Sequence, residues 1–127
     1  MTSNLKLDQE GTPKAGTPAI LGIPFDANSS YLRGSAAAPD EIRAAFHSTS
    51  SNYWTELGVD LGVEGIFFDA GNLKFSLPDA FGGIEREVGK LLERKLRPIC
   101  LGGDHSITSP IIGRFRQTIS KSYDHSF

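Results

Sequence analysis

Short apolar runs alternate along the chain with segments in which apolar residues recur at helical spacing. Each apolar run predicts a strand, and the first and longest run predicts one that is covered on both faces, because polar residues do not alternate with apolar ones within it. The predicted strands span residues 18–25, 65–69 and 98–101. Strands and helices therefore follow one another in turn, which predicts βαβ units with right-handed crossovers and a parallel sheet.

The predicted helices carry start signals or apolar stripes. Pro39 suits the first turn of a helix, where its missing N–H leaves no hydrogen bond unmade. The second helix, residues 79–97, has apolar residues at i, i+4, i+7 and i+8. Ser109 and Pro110 suit the N-cap and first turn of the third helix. We expect its buried side to carry Ile111, Ile112 and Phe115.

The pattern divides the chain into three parts. Residues 1–17 are polar and predict a flexible leader. Residues 18–116 predict an α/β unit around a parallel sheet, the first half of a doubly wound domain, and residues 117–127, which are polar and unpatterned, predict an irregular C-terminal tail. A sheet of so few strands leaves at least one edge uncovered, so we expect the incomplete, N-terminal part of a larger α/β domain.

Composition and charge exclude several classes of function. The formal net charge is −2 and no Lys/Arg cluster is present, which argues against a nucleic-acid-binding surface. The apolar runs are far shorter than the roughly 20 residues of a membrane span, and the N-terminus lacks a secretory signal. Cys100, the single cysteine, lies in a strand pattern and predicts a buried thiol in a reducing compartment. We expect a cytoplasmic protein, with a mitochondrial location as the alternative.

The strongest chemical signal is Gly102-Gly103-Asp104-His105-Ser106, which follows the third predicted strand. Ligands bind beyond the carboxyl ends of strands in open α/β sheets, and imidazole is the commonest protein metal ligand. His105 is therefore a candidate metal ligand; the alternative is a side chain that caps the next helix or binds a loop. Asp104 either orients its neighbour or caps the turn. Phosphate binding by the glycines is disfavoured, because Asp104 would repel the anion and no P-loop lysine follows.

Other polar residues also follow or end the predicted strands. Asp26 and Asp69 are expected at the same sheet edge as His105, where they would contribute to one cleft. The alternative is that both are turn-forming residues that bind their own backbone. Arg33 and Arg43 suit bidentate pairing with carboxylates in a structural role.

The motif at residues 102–106 resembles the first signature of the ureohydrolases, the arginase/agmatinase family. Asp69-Ala70-Gly71-Asn72 is similar to that family's strand-end Asp-x-Gly-Asp. Three further blocks resemble the agmatinase-like branch in wording and order: Gly22-Ile23-Pro24-Phe25-Asp26, Ser30-Tyr31-Leu32-Arg33-Gly34 and Pro39-Asp40-Glu41-Ile42-Arg43. The resemblance extends over about residues 18–116.

The resemblance implies a fold, a metal centre and a reaction. The family has a three-layer α/β fold and two Mn²⁺ ions, or Ni²⁺ in some relatives, which activate a hydroxide that attacks a guanidinium carbon and releases urea. It also implies a small guanidino substrate and a homo-oligomer, with no nucleic acid or membrane partner. On this reading His105 corresponds to a metal ligand, while Gly102, Gly103, Asp104 and Ser106 form the turn around it.

The chain departs from the family pattern in the other ligands. The family takes them from a later Asp-x-His-x-Asp motif and an Asp-x-Asp motif, and Asp124-His125 has the wrong spacing to replace the first. We give Asp124 and His125 little weight as metal ligands and expect no catalytic residue within the chain. A truncated chain with His105 alone is predicted to hold no Mn²⁺ pair and to be inactive. The alternative is a non-catalytic fragment that associates with full-length ureohydrolase subunits.

Overall fold

The computed structural model describes residues 13–27, 34–75 and 79–124. Its main elements are β1 (Pro18–Ile23), α1 (Ala38–Phe46), β2 (Phe68–Asn72), α2 (Ala80–Glu93), β3 (Arg97–Gly102) and α3 (Thr108–Asp124). Two 3-10 turns, Ser35–Ala37 and His105–Ile107, lead directly into α1 and α3. The prediction of an α/β fold that alternates strand and helix is confirmed.

The described strands form one parallel sheet in the order β2-β1-β3. β1 is central, and its pairing with β3 runs without a break up to Ile23 opposite Gly102. Its pairing with β2 is interrupted between Ile20 and Leu21, where the register shifts. Because β1 and β3 end level with each other, the segments that follow them meet at one edge of the sheet.

The core lies between β1 and α2. Ala19, Leu21 and Ile23 of β1 have no exposed surface, as expected for a central strand. Burial of each large aliphatic side chain contributes about 1.5–3 kcal/mol. On α2 the core is formed by Ile84, Val88 and Leu91, and α2 in turn packs against α3. The helical spacing predicted for this segment therefore identifies its buried side.

The second strand begins three residues later than predicted. Residues 65–69 carry the apolar run, but Gly65 has φ +89° and ends a turn. Phe67 packs edge-on against Phe46 of α1, with ring centroids 5.8 Å apart, before β2 begins at Phe68. Gly65 is exposed and residues 66–69 are half-buried, so the apolar run is neither fully buried nor a strand over its whole length.

Both ends of the α2–β3 connection differ from the prediction. α2 ends at Glu93 rather than at residue 97, because Lys95 adopts φ +62° and the chain turns into β3. The amide of Gly16 donates to the carbonyl of Lys95 at 2.7 Å, and Thr17 accepts from the amide of Arg97 at 3.0 Å. Residues 16–17 of the predicted flexible leader are thus bonded to the β3 segment, while residues 1–12 lie outside the described residues.

The predicted irregular tail is helical as far as it is described. α3 continues to Asp124, and Thr118 donates its hydroxyl to the carbonyl of Arg114 at 3.2 Å. The prediction of its buried side was partly wrong. Ile111 packs against the core, but Ile112 and Phe115 are 49% and 46% exposed. The helix continues through residues 117–124, which are mostly polar. Their sequence has few apolar residues from which a helical spacing could be recognised.

Two further expectations concern solvent and membrane. Burial raises the pKa of the Cys100 thiol from 9.0 to about 11, so the thiol is protonated at neutral pH. Among the helices described, none combines the length and apolar character that would let it cross a membrane.

Candidate functional site

The segment after β3, residues 102–106, forms a tight turn against the end of β1; we call it the β3 turn. Gly103 has φ +59°, and a Cβ there would lie 2.6 Å from the carbonyl oxygens of both Ile23 and Phe25. The amide of Asp104 donates to the carbonyl of Phe25 at 2.8 Å. Only glycine combines this positive φ with so close an approach, so the backbone of the turn is fixed on β1.

Asp104 holds the next part of the turn. The residue is buried, with 7% of its surface exposed. One carboxylate oxygen accepts the amide of Ser106 at 2.9 Å and also accepts the Ser106 hydroxyl. Asp104 is thus the N-cap of the 3-10 turn His105–Ile107. Of the two roles that the sequence left open, capping is the one seen in the structure.

His105 begins that 3-10 turn and is exposed. It lies beyond the carboxyl end of β3, where the sequence predicted a ligand-binding edge. Within the described parts of the chain, no group of three or more His, Cys, Asp or Glu residues is placed to hold a metal ion. The donor set around His105 therefore does not fit a pair of ions by itself.

Asp26 follows the end of β1, at the same edge as the β3 turn. One of its carboxylate oxygens accepts the amide of Gly34 at 2.7 Å and that of Ala36 at 3.3 Å. It therefore closes the loop that leads into α1. These amides lie eight and ten residues further along the chain, so Asp26 is not a turn former that binds its own neighbouring backbone. A contribution of Asp26 to a cleft stays a prediction.

Asp69 does not lie at that edge, contrary to the prediction. It pairs with Ile20 in the sheet, three residues before β1 ends. Both of its carboxylate oxygens bind Arg43, at 2.9 Å to Nε and 3.0 Å to Nη2, and one also accepts the amide of Gly71 at 2.9 Å. The strand began later than predicted, so Asp69 falls near its start and ties α1 to β2.

Asn72 extends this structural cluster. Its amide oxygen accepts from Arg43, and its amide nitrogen donates to Asp40 at 2.8 Å. We call Asp40, Arg43, Asp69 and Asn72 the α1–β2 network. Gly22 leaves room for it, because a Cβ at that position would collide with the side chain of Asn72.

Sequence reasoning anticipated the bidentate role of Arg43 but missed its partners. Asn72 and Asp40 are separated by 32 residues, so no local pattern links them. The nearest signal was the glycine inside the apolar strand, which marks a close approach. Arg33 lies outside the described residues.

The late pair Asp124-His125 is far from the β3 turn. Asp124 ends α3, about 24 Å along the helix axis from Thr108 at a rise of 1.5 Å per residue. His125 lies outside the described residues. The structure therefore does not bring Asp124 to His105.

Comparison with known proteins defines the class. The model of the arginase family, described as "Arginase family", matches residues 17–124. A parallel α/β sheet with a histidine-bearing turn beyond a strand end is consistent with that match. The chain belongs to the arginase family.

Individual relatives agree with the family match. Mitochondrial arginase 1 of Arabidopsis thaliana is 38% identical over 111 residues, which cover 80% of this chain and 32% of that protein. The solved arginase of Medicago truncatula superposes with a TM-score of 0.72 at 32% identity, and covers 79% of this chain and 34% of its own. The agmatine ureohydrolase of Thermoplasma volcanium gives 0.67 at 31% identity, with coverages of 88% and 38%.

These coverages have two consequences. The chain spans about a third of the length of the relatives it matches. Arginases, a formimidoylglutamase and a putative agmatinase all occur among the matches. The matches therefore identify the family but not the branch within it.

Proposed function

We propose that the chain is the N-terminal portion of an agmatinase-like ureohydrolase, in which His105 is one ligand of a Mn²⁺ pair. The complete enzyme would hydrolyse a linear amidine or guanidino compound and release urea. The observation that carries the proposal is the exposed imidazole of His105 on a turn whose backbone is fixed at the carboxyl edge of the sheet.

The rigid base of the β3 turn suits a ligand residue. The Asp104 amide bonds the turn to the carbonyl of Phe25, and the Asp104 side chain caps the 3-10 turn from its buried side. A ligand that is positioned before the metal arrives loses little freedom on binding, which favours affinity. When bound, a Mn²⁺ pair would supply a hydroxide nucleophile near neutral pH. Ni²⁺ is the alternative ion, since imidazole suits both.

Other support comes from a relative with the same fold. The formiminoglutamase of Trypanosoma cruzi has been solved with Mn²⁺. Its identity to this chain is 23%, so it supports the fold, and the metal is carried over here as a proposal. We also propose a homo-oligomer and a cytoplasmic location. A mitochondrial location is the alternative, because several plant relatives are named mitochondrial arginases.

The residues described here supply one metal ligand and not a centre. Asp26 and Asp69 bind backbone amides and Arg43, and no three-ligand group occurs among the described residues. We therefore propose that residues 1–127 by themselves release no urea from agmatine, arginine or guanidinobutyrate in the presence of Mn²⁺. Turnover by these residues that His105→Ala abolishes would overturn this part.

A chimaera tests the role of His105 directly. Residues 17–124 would replace the matching segment of the Thermoplasma volcanium agmatine ureohydrolase, and Mn²⁺-dependent urea release from agmatine would be measured. We expect activity that His105→Ala lowers by about 100-fold or more, the effect typical of losing part of a metal's ligand environment. His47→Ala, at another exposed histidine, is the matched control and should leave activity unchanged. Equal activity of the two variants would contradict the proposal.

The chimaera tests the substrate preference only in part. Urea release by complete relatives of this chain should therefore also be compared across agmatine, arginine and formimidoylglutamate. We propose an agmatinase-like preference because residues 22–26 and 39–43 resemble that branch. Preference for arginine or for formimidoylglutamate would reassign the branch and leave the family unchanged.

A second candidate function is a non-catalytic fragment that binds full-length ureohydrolase subunits. An exposed apolar stripe favours it: Ile112, Phe115 and Ile119 of α3 are 49%, 46% and 41% exposed. Ile99 of β3 is exposed to a similar extent. Such area is more often covered by protein than left in water. Co-purification of the tagged chain with a full-length ureohydrolase supports this candidate, and its absence removes it.

A further inference from the structure

We infer that Asp26 is a positioning residue for the β3 turn, and that it acts through the backbone of Ser35 and Gly103. The functional meaning of this inference rests on the proposed role of His105 as a metal ligand. Asp26 itself touches neither His105 nor any reacting atom.

The first step is the contact between Asp26 and the start of α1. A single carboxylate oxygen accepts the amides of Gly34, at 2.7 Å, and Ala36, at 3.3 Å. These amides flank Ser35 on either side. The carboxylate therefore fixes the orientation of the peptide units on which the Ser35 carbonyl depends.

The second step leads from Ser35 to the β3 turn. The carbonyl of Ser35 accepts the amide of Gly103 at 3.4 Å. The next amide of the turn, that of Asp104, is bound by the carbonyl of Phe25, the residue directly before Asp26. The amides of Gly103 and Asp104 are thus both bound by backbone carbonyls that Asp26 adjoins or holds in place.

The third step concerns freedom of movement. Gly103 lies so close to Ile23 and Phe25 that a Cβ would meet their carbonyl oxygens at 2.6 Å. The turn is consequently held by two backbone contacts, one to Phe25 after β1 and one to Ser35. If the Ser35 segment loosens, the turn loses the hydrogen bond made by the Gly103 amide, and with it part of the placement of His105 by residues 103–104.

The chemistry of the side chain also matters. A carboxylate near the start of a helical segment gains from charge-assisted hydrogen bonds and from the positive end of the helix dipole. An asparagine at residue 26 can still present one oxygen to both amides. It therefore keeps the geometry while it removes the charge.

Amide hydrogen exchange of the 127-residue chain, resolved residue by residue, tests the inference. We expect Asp26→Ala to increase the exchange rates of the Gly103 and Asp104 amides about tenfold or more, while Asp26→Asn restores most of the protection. The amides of α2 serve as an internal reference for general unfolding. A role confined to the loop would accelerate only the amides of Gly34 and Ala36.

Asp60→Ala is the matched control, because Asp60 also accepts a backbone amide, that of Gly62, at 2.9 Å. It should leave the β3 turn unchanged. The inference is overturned if Asp26→Ala leaves Gly103 and Asp104 within twofold of the wild type. It is equally overturned if Asp60→Ala accelerates them as much, or if they are unprotected in the wild type. No metal or substrate is present in the experiment, so failure of the proposed hydrolase function would leave its result intact.

Discussion

Two polar clusters lie on the two strands that flank β1, one on β2 and one after β3, and use their side chains differently. In the α1–β2 network, Asp69 has both carboxylate oxygens bound to Arg43, and Asn72 bridges Arg43 and Asp40. In the β3 turn, Asp104 faces inward and caps the turn, while the next residue, His105, is exposed. One cluster satisfies its polar groups internally, and the other holds one group rigidly at the surface.

The difference distinguishes the proposed metal ligand from a structural residue in this fold. Both segments follow an apolar run in the sequence, and both carry a carboxylate. Two features decide whether such a residue is available to bind a ligand. One is whether its polar atoms already have partners in the fold, and the other is whether the strand ends where the sequence predicts. Asp69 lies near the start of β2 rather than at its end, and its carboxylate is already bound by Arg43. It therefore meets neither condition for a ligand.

The largest expected effect comes from the backbone of the β3 turn. Gly103→Ala should lower the free energy of unfolding by about 3 kcal/mol or more, because the new methyl group collides with two carbonyl oxygens at positive φ. Urea denaturation followed by circular dichroism measures it. Gly58→Ala is the control, since Gly58 also has positive φ but nothing lies within 4 Å of its Cβ position. That variant should lose about 1 kcal/mol; equal losses would mean that close approach is unimportant.

The α1–β2 network should respond next. Arg43→Ala is expected to lower the unfolding free energy by about 2 kcal/mol. The substitution leaves the partly buried carboxylate of Asp69 and the amide oxygen of Asn72 without their Arg43 partner. Arg43→Lys should recover only part of this, since lysine cannot bind both oxygens in a fork. Arg86→Ala breaks an exposed pair with Asp79 and should lose less than about 0.5 kcal/mol. A loss at Arg43 no larger than at Arg86 would show that the network is a surface feature.

A smaller effect is expected at Cys100, which lies on β3 before the exposed β3 turn. Burial raises the pKa of Cys100 to about 11, so iodoacetamide at pH 8 should alkylate the folded chain about 100-fold more slowly than the unfolded chain. The protonated thiol favours the folded state. The unfolding free energy should therefore be unaffected below pH 9 and should fall as pH rises from about 9 to about 11. Equal alkylation rates in the folded and urea-unfolded chains would contradict the burial of Cys100.

Elements fixed by local pattern could be predicted, and those fixed by distant contacts could not. β1 and β3 lie where the apolar runs predict them, although β3 is only partly covered, with Ile99 49% exposed. β2 was misplaced because Ile66 and Phe67 are apolar for another reason: the ring of Phe67 packs on that of Phe46. Periodicity alone does not distinguish a half-buried turn from a strand.

The candidate site shows the same division. The glycine pair and His105 could be identified from sequence, because a sharp turn beyond a strand has a local signature. The inward direction of Asp104 and the occupation of Asp69 could not, since each depends on a partner that the fold supplies. Arg43 and Asp69 are separated by 26 residues, and only the packing of α1 beside β2 brings them together.

The most direct measurement compares two adjacent residues of the β3 turn. Asp104→Ala and His105→Ala would be unfolded in urea side by side. Asp104→Ala should lose about 2 kcal/mol, because it removes a buried cap from the 3-10 turn. His105→Ala should stay within about 0.5 kcal/mol of the wild type, because an exposed side chain held outward contributes little to folding. A loss for His105→Ala as large as that for Asp104→Ala would show that the imidazole is a structural group, and would contradict its role as a presented metal ligand.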